Sequence, residues 1–300
     1  MPSKLLEPKS LALVSRLELV ARRAVDGFLA GRHPSPYHGS SVEYADHRPY
    51  TAGDEIRTID WKLLAKTDKT YVKLFEDQTN LRATVIVDSS SSMGFTSDAT
   101  AYPSKYDYAC RIAAALSYLL IKQKDAVGLA MFDEQIRSYV PARSTASHFR
   151  LMIQQMEQHN PAAGRVTAAG RVLAELASRV KRRGMIVLVS DLLDDLDGIV
   201  QGLARFVFDR HDVLVFHVMD PAELQFPYEG LTRFKCPETS QQLISNPRMA
   251  RRKYMEELDR FLAACRKACR ERDIAYELCS TDTPYEKILS RFLEERRMAG

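Results

Sequence analysis

Asp88, Ser90 and Ser92 close the segment "TVIVDSSSSMG", where an apolar β-branched run gives way to one carboxylate and four consecutive hydroxyls. In an extended or tightly turning segment alternate residues share a side, so a D-x-S-x-S spacing can converge one carboxylate and two hydroxyls. Such a set offers small, hard oxygen ligands with little negative charge. It suits Mg²⁺, or similarly Mn²⁺ or Ca²⁺, rather than zinc, which favours nitrogen and sulfur. An ion held by so few charges stays electrophilic and has room for one more carboxylate. The bland alternative is a polar turn whose hydroxyls cap the helix that follows.

Around this cluster, from residue 82 onward, near-continuous apolar strands ("RATVIVD", "AVGLAMFD", "MIVLVSD", "DVLVFHVMD", "IAYELCS") alternate with amphipathic helical segments. That pattern predicts an α/β fold: a doubly wound, mostly parallel sheet with helices on both faces. Ligands of such sheets sit beyond the carboxyl ends of the strands. Strands here end on Asp88, Asp133, Asp191 and Asp220. Asp133 and Asp220 read as turn or cap residues, and Ser190–Asp191 could start a helix as an N-cap pair. Upstream, residues 11–31 have helical apolar spacing closed by Gly31. A polar stretch with strand-like pieces at "SVEYA" and "TYVKLF" follows and carries Trp61, the only tryptophan, expected to pack this segment onto the sheet. The expected organisation is an N-terminal helix and small β-containing extension over 1–80, packed on a main domain over 81–300 with an insertion near 221–248.

Two resemblances sharpen this reading. D-x-S-x-S after the first strand of an α/β sheet is similar to the metal-ion-dependent adhesion site of von Willebrand factor A domains. The resemblance implies that Ser90 and Ser92 bind a metal with Asp88, and that Asp191 in "IVLVSDLLDD" and Thr167 in "GRVTAAGRVLAEL" complete the site directly or through water. Arg165 and Val166 stand where that family usually has a glycine pair. The second resemblance covers nearly the whole chain. "HRPYTAGDEIRTIDW" resembles the signature of the bacterial domain of unknown function 58 family, with matches at Arg48, Tyr50, Gly53, Asp54, Arg57, Ile59, Asp60 and Trp61, and with Ala52 and Glu55 as departures. It implies a von Willebrand factor A-like domain and a metal-dependent adaptor role with a MoxR-type AAA+ ATPase and its client protein in assembly or maturation of complexes. The client's acidic residue would complete the metal. Arg48, Asp54, Arg57 and Asp60 form either a structural ion-pair network or a docking surface.

Composition bounds the alternatives. The 300 residues carry 43 basic and 39 acidic side chains, a mild net charge of +4 with the signs interspersed. The basic runs "RMARRKY" and "RKACRERD" lie on a helix with an apolar face and are broken by acidic residues, so a solvated face is favoured over nucleic-acid binding. Five scattered cysteines lack a second zinc-spaced pair beside Cys265 and Cys269, which reads as reduced thiols. His33, His38 and His47 fit no familiar metal spacing. No signal peptide and no apolar run long enough to cross a bilayer is seen, so the chain reads as cytoplasmic. It is not expected to be an enzyme: neither a P-loop nor a G-x-S-x-G elbow is present. A metal-assisted phosphoester hydrolase using the same oxygens is the alternative.

Overall fold

The computed structural model describes residues 42–51, 59–67, 69–77, 81–161, 168–235, 242–289 and 291. Residues 1–41, including the expected N-terminal helix, lie outside them. Two compact units result, the smaller over 29–80 and the larger containing everything from Leu81 onward. Among the described residues no helix is long and apolar enough to cross a membrane.

In the smaller unit, β1 (Val42–Pro49) pairs antiparallel with β2 (Tyr71–Asp77), and a bulge between Tyr44 and Asp46 shifts the register. Between them lies the short helix α1 (Trp61–Thr67). The Asp60 carboxylate accepts the Leu63 N–H at 3.1 Å, so it caps that helix. Trp61 departs from expectation. It stands at the first position of α1 and is 59% exposed, while Ile59 beside it is buried and bridged to Val72. Ile59 lies before the helix and packs with Val72 of β2, whereas Trp61 begins the helix itself.

The larger unit is built on a six-stranded sheet. Its strands are β3 (Arg82–Asp88), β4 (Ala126–Phe132), β5 (Ile136–Arg143), β6 (Met185–Ser190), β7 (Asp212–Met219) and, beyond a small excursion, β10 (Ala275–Ser280). Their spatial order is β10-β7-β6-β3-β4-β5, all parallel except the edge strand β5, which returns from β4 as a hairpin. This is a doubly wound 3-2-1-4-5-6 order, with the order reversing between β3 and β6. The central strands are buried along almost their whole length, as their unbroken apolar runs require.

The helices are α2 (Lys105–Lys122), α3 (Ala146–Gln158), α4 (Ala169–Arg179), α5 (Leu196–Phe208), α6 (Pro221–Gln225) and α7 (Pro247–Arg270). A two-stranded hairpin of β8 (Thr232–Lys235) and β9 (Gln242–Ser245) lies between α6 and α7. Helices α4 and α5 put Val172, Leu173, Leu176, Ile199, Leu203 and Phe206 into one core cluster with β3, β6 and β7. Cys265 and Cys269 on α7 join that cluster as free buried thiols, each pushed up by burial, to about 12 and about 11.

Helices α4 and α5 approach closely enough that a Cβ on Gly170 would come within 2.6 Å of the Gly198 backbone. Backbone cannot swing aside as a side chain can. Gly170→Ala is therefore expected to cost about 1–3 kcal/mol by forcing the helices apart. Urea denaturation checks this, and an unchanged midpoint would contradict it.

Candidate metal site at the strand-order reversal

β3 delivers Asp88 to the carboxyl edge of the sheet, and its neighbour β6 delivers Ser190 and Asp191 to the same edge. This is the point where the strand order reverses, the place at which sheets of this kind bind their ligands. All of Asp88, Ser89, Ser90, Ser91, Ser92, Ser190 and Asp191 are buried.

Alternation sorts the serines as the D-x-S-x-S spacing predicts. Ser89 turns away, its hydroxyl donating to the Phe132 carbonyl at 2.7 Å. Ser90 and Ser92 turn together, their hydroxyl oxygens 3.1 Å apart. After Ser90 the chain enters a 3-10 turn (Ser91–Gly94), yet Ser90 makes no side-chain capping bond to it. The next helix, α2, is capped by Ser104, whose oxygen accepts the Asp107 N–H. The hydroxyls of Ser90 and Ser92 are thus not spent on capping.

Asp88 is held by neutral donors. Its Oδ2 accepts the Ser190 hydroxyl at 2.6 Å and its Oδ1 the Ser90 N–H at 2.9 Å. Among the described residues no lysine or arginine pairs with it. Burial and the facing charge of Asp191 push its carboxyl up to about 7. Asp191 is in the opposite condition. Its Oδ2 accepts from Lys105 Nζ at 2.8 Å and its Oδ1 from the Leu193 N–H at 3.2 Å. Burial alone would raise it, but Lys105 outweighs burial and holds it below the usual carboxylate range. Lys105 also donates to Glu223 Oε1 at 2.7 Å. Burial opposes its charge, and the two carboxylates overcome that and raise it.

Behind the site, His217 on β7 has Nδ1 2.7 Å from the Tyr276 hydroxyl, and burial lowers it to about 4. It is neutral at pH 7 and adds no cation. The oxygen cluster therefore combines two facing carboxylates, only one of them compensated, with two adjacent hydroxyls. Those residues fit a hard cation: the uncompensated carboxylate lacks a positive partner, and the two hydroxyls set hard oxygens beside it. Among the described residues there is no group of three or more His, Cys, Asp and Glu spaced to hold a metal, a composition that a serine-based site does not require.

The remaining candidates separate clearly. Thr167 lies outside the described residues, but the chain just after it is anchored, with Ala168 N–H on the Asp133 carbonyl at 3.5 Å and Ala169 N–H on Asp194 Oδ2 at 2.8 Å. Asp133 pairs with Arg137 at 2.7 Å in the β4–β5 turn, a structural role. Asp220 forms a capping box with Glu223 on α6, and its other oxygen accepts the Ser97 N–H at 2.9 Å. Ser190–Asp191 do not start a helix. Leu192 takes a left-handed φ of 54°, and Asp195 caps α5 instead. A leucine there costs of order 1–3 kcal/mol, and its N–H is held by the Ser190 hydroxyl at 3.0 Å. Asp54 and Arg57 lie outside the described residues, as do His33 and His38; Arg48 and His47 lie on β1. Sequence reasoning missed Lys105 and Glu223. Their only signal was a lysine at the first position of a helix with a continuous apolar face.

Comparison with known proteins finds one family and several similar chains. The family model described as "Protein of unknown function DUF58" matches residues 46–261. The chain is 30% identical over 225 residues to the uncharacterized protein Rv1480 of Mycobacterium tuberculosis, covering 75% of this chain and 69% of that protein. It is 25% identical over 177 residues to the uncharacterized protein YeaD of Bacillus subtilis, covering 58% and 40%. Among solved structures, the conserved hypothetical protein BatB of Bacteroides thetaiotaomicron matches with a TM-score of 0.48 and 16% identity, over 73% of this chain and 99% of that one. The SpRpn10 VWA domain matches with a TM-score of 0.38 and 13% identity, over 72% and 95%.

Proposed function

We propose that this chain, which belongs to the DUF58 family, is a protein-binding adaptor that captures an acidic residue of its partner through a divalent cation at the strand-order reversal. Mg²⁺ is the ion that best suits the donors, with Mn²⁺ and Ca²⁺ as substitutes. One observation carries the reading: Asp88 is a buried carboxylate without a cationic partner among the described residues, beside two hydroxyls 3.1 Å apart that cap no helix.

Ser90 and Ser92 would supply ligand oxygens, Asp88 the compensating charge, and Asp191 a second charge already tied to Lys105. Thr167 would add a hydroxyl by family resemblance. Bound there, the ion would supply a Lewis-acidic position that a carboxylate from outside completes. The chain's own part is to hold these oxygens together at the carboxyl ends of two adjacent strands, which lowers the ordering cost of binding. Among the described residues no imidazole faces the serine hydroxyls: His217 faces Tyr276, and Ser90 and Ser92 meet each other and the two carboxylates. That favours ligation over nucleophilic chemistry. By family resemblance the partner is a MoxR-type AAA+ ATPase or the client it remodels.

Metal removal tests this. Capture of a purified MoxR-type ATPase or its client by the immobilised chain is expected in Mg²⁺ and to fall to background in EDTA. Asp88→Ala is expected to abolish capture in Mg²⁺ as well. Undiminished capture by a folded Asp88→Ala protein would reject the reading.

A further inference from the structure

Lys105 opens α2, a place where lysine ordinarily extends into water, yet it is only 1% exposed. Its ammonium is shared between Asp191 on the rim of the proposed site and Glu223 on α6, at 2.8 and 2.7 Å. The Phe95 ring lies 5.9 Å from Nζ on another side. Burying such a group costs several kcal/mol, and an apolar pair in its place is often as stable, so packing alone is a weak reason for it.

Its position gives a better one. The two site carboxylates are treated differently: Asp191 is compensated by Lys105, whereas Asp88 receives only hydroxyl and N–H donors. A fixed positive charge beside a cation site lowers its affinity for the bare ion. The same charge raises the affinity for an anion that joins the ion afterwards.

We propose that Lys105 is a tethered counter-cation that makes the site a poor binder of divalent ion alone and a good acceptor of ion and carboxylate together. The proposal rests on the metal reading above and deepens it. Lys105 is a positioning and tuning residue, not a ligand. Partner and metal then load as a unit, and the unpartnered chain is largely metal-free at low ion concentrations. Glu223 sets how much of the ammonium's charge Asp191 receives, because the two carboxylates compete for one Nζ.

The test uses the full chain, with Mn²⁺ as metal and acetate as the carboxylate probe. Mn²⁺ affinity is measured by calorimetry, and acetate binding at saturating Mn²⁺ by water-proton relaxation. Lys105→Met is expected to bind Mn²⁺ at least tenfold more tightly, about 1.4 kcal/mol, and acetate several-fold more weakly. A residue that merely holds the fold together would not move the two in opposite directions. Unchanged Mn²⁺ affinity in Lys105→Met, or stronger acetate binding, overturns this role while the metal reading stands. If neither the wild type nor Lys105→Met binds Mn²⁺, both fall. Should Lys105→Met not fold, Glu223→Gln carries the test: it leaves the ammonium wholly on Asp191 and is expected to weaken Mn²⁺ several-fold. Unchanged or tighter binding by that variant overturns the proposal.

Discussion

Asp88→Asn is expected to make the metal-free protein more stable and to abolish stabilisation by Mg²⁺. The wild-type carboxylate is buried, faces Asp191 and has only neutral donors around it. Asparagine keeps the shape. Its carbonyl can accept the Ser90 N–H, and its amide can donate to a reoriented Ser190 hydroxyl. Exchanging an ill-compensated buried charge for a neutral isostere is commonly neutral to stabilising, and about 1–2 kcal/mol is expected here. With Mg²⁺ the order reverses. An ion at a hundred times its dissociation constant stabilises the wild type by about 2.7 kcal/mol, and the variant gains nothing. Urea unfolding with and without Mg²⁺ reads both halves. A metal-dependent shift that survives in Asp88→Asn would sink the site assignment, and a less stable metal-free variant would sink the electrostatic account.

Removing Lys105 should have the largest effect on stability. In the metal-free protein Lys105→Met leaves Asp191 buried without its cation and Glu223 without its partner. Breaking one side of a buried pair costs about 3–5 kcal/mol, a large share of a typical domain's stability. Adding Asp191→Asn should recover much of this, because the stranded charge is removed, and the double-mutant cycle should show strong coupling. Denaturant midpoints of the four proteins measure it. A loss below about 1 kcal/mol for Lys105→Met would mean that water reaches these carboxylates freely.

How much of this was legible beforehand follows from which forces are local. The run "TVIVD" and its four counterparts announced buried parallel strands, because such strands must be apolar on both faces. The D-x-S-x-S spacing announced which hydroxyls would face together, because alternation is a property of the backbone. What could not be read was tertiary. The partners of Lys105 lie 86 and 118 residues further along the chain. Ser190–Asp191 looked like a helix cap because residue type alone cannot reveal the left-handed turn at Leu192. Trp61 is expected, with Ile59 and Leu63, to pack its segment inward, yet of the three only Ile59 is buried, because the neighbours that select it come from elsewhere in the chain. Thr167 rests on resemblance alone.

The hydrogen bond from Ser190 to Asp88 spans 102 residues. During synthesis the first half of the oxygen cluster leaves the ribosome well before the strand that completes it. A nascent chain ending before β6 carries the serines but neither Ser190 nor Asp191, and so only part of the constellation. On the proposed reading, a chain can hold the ion only once β6 and the residue after it have been added.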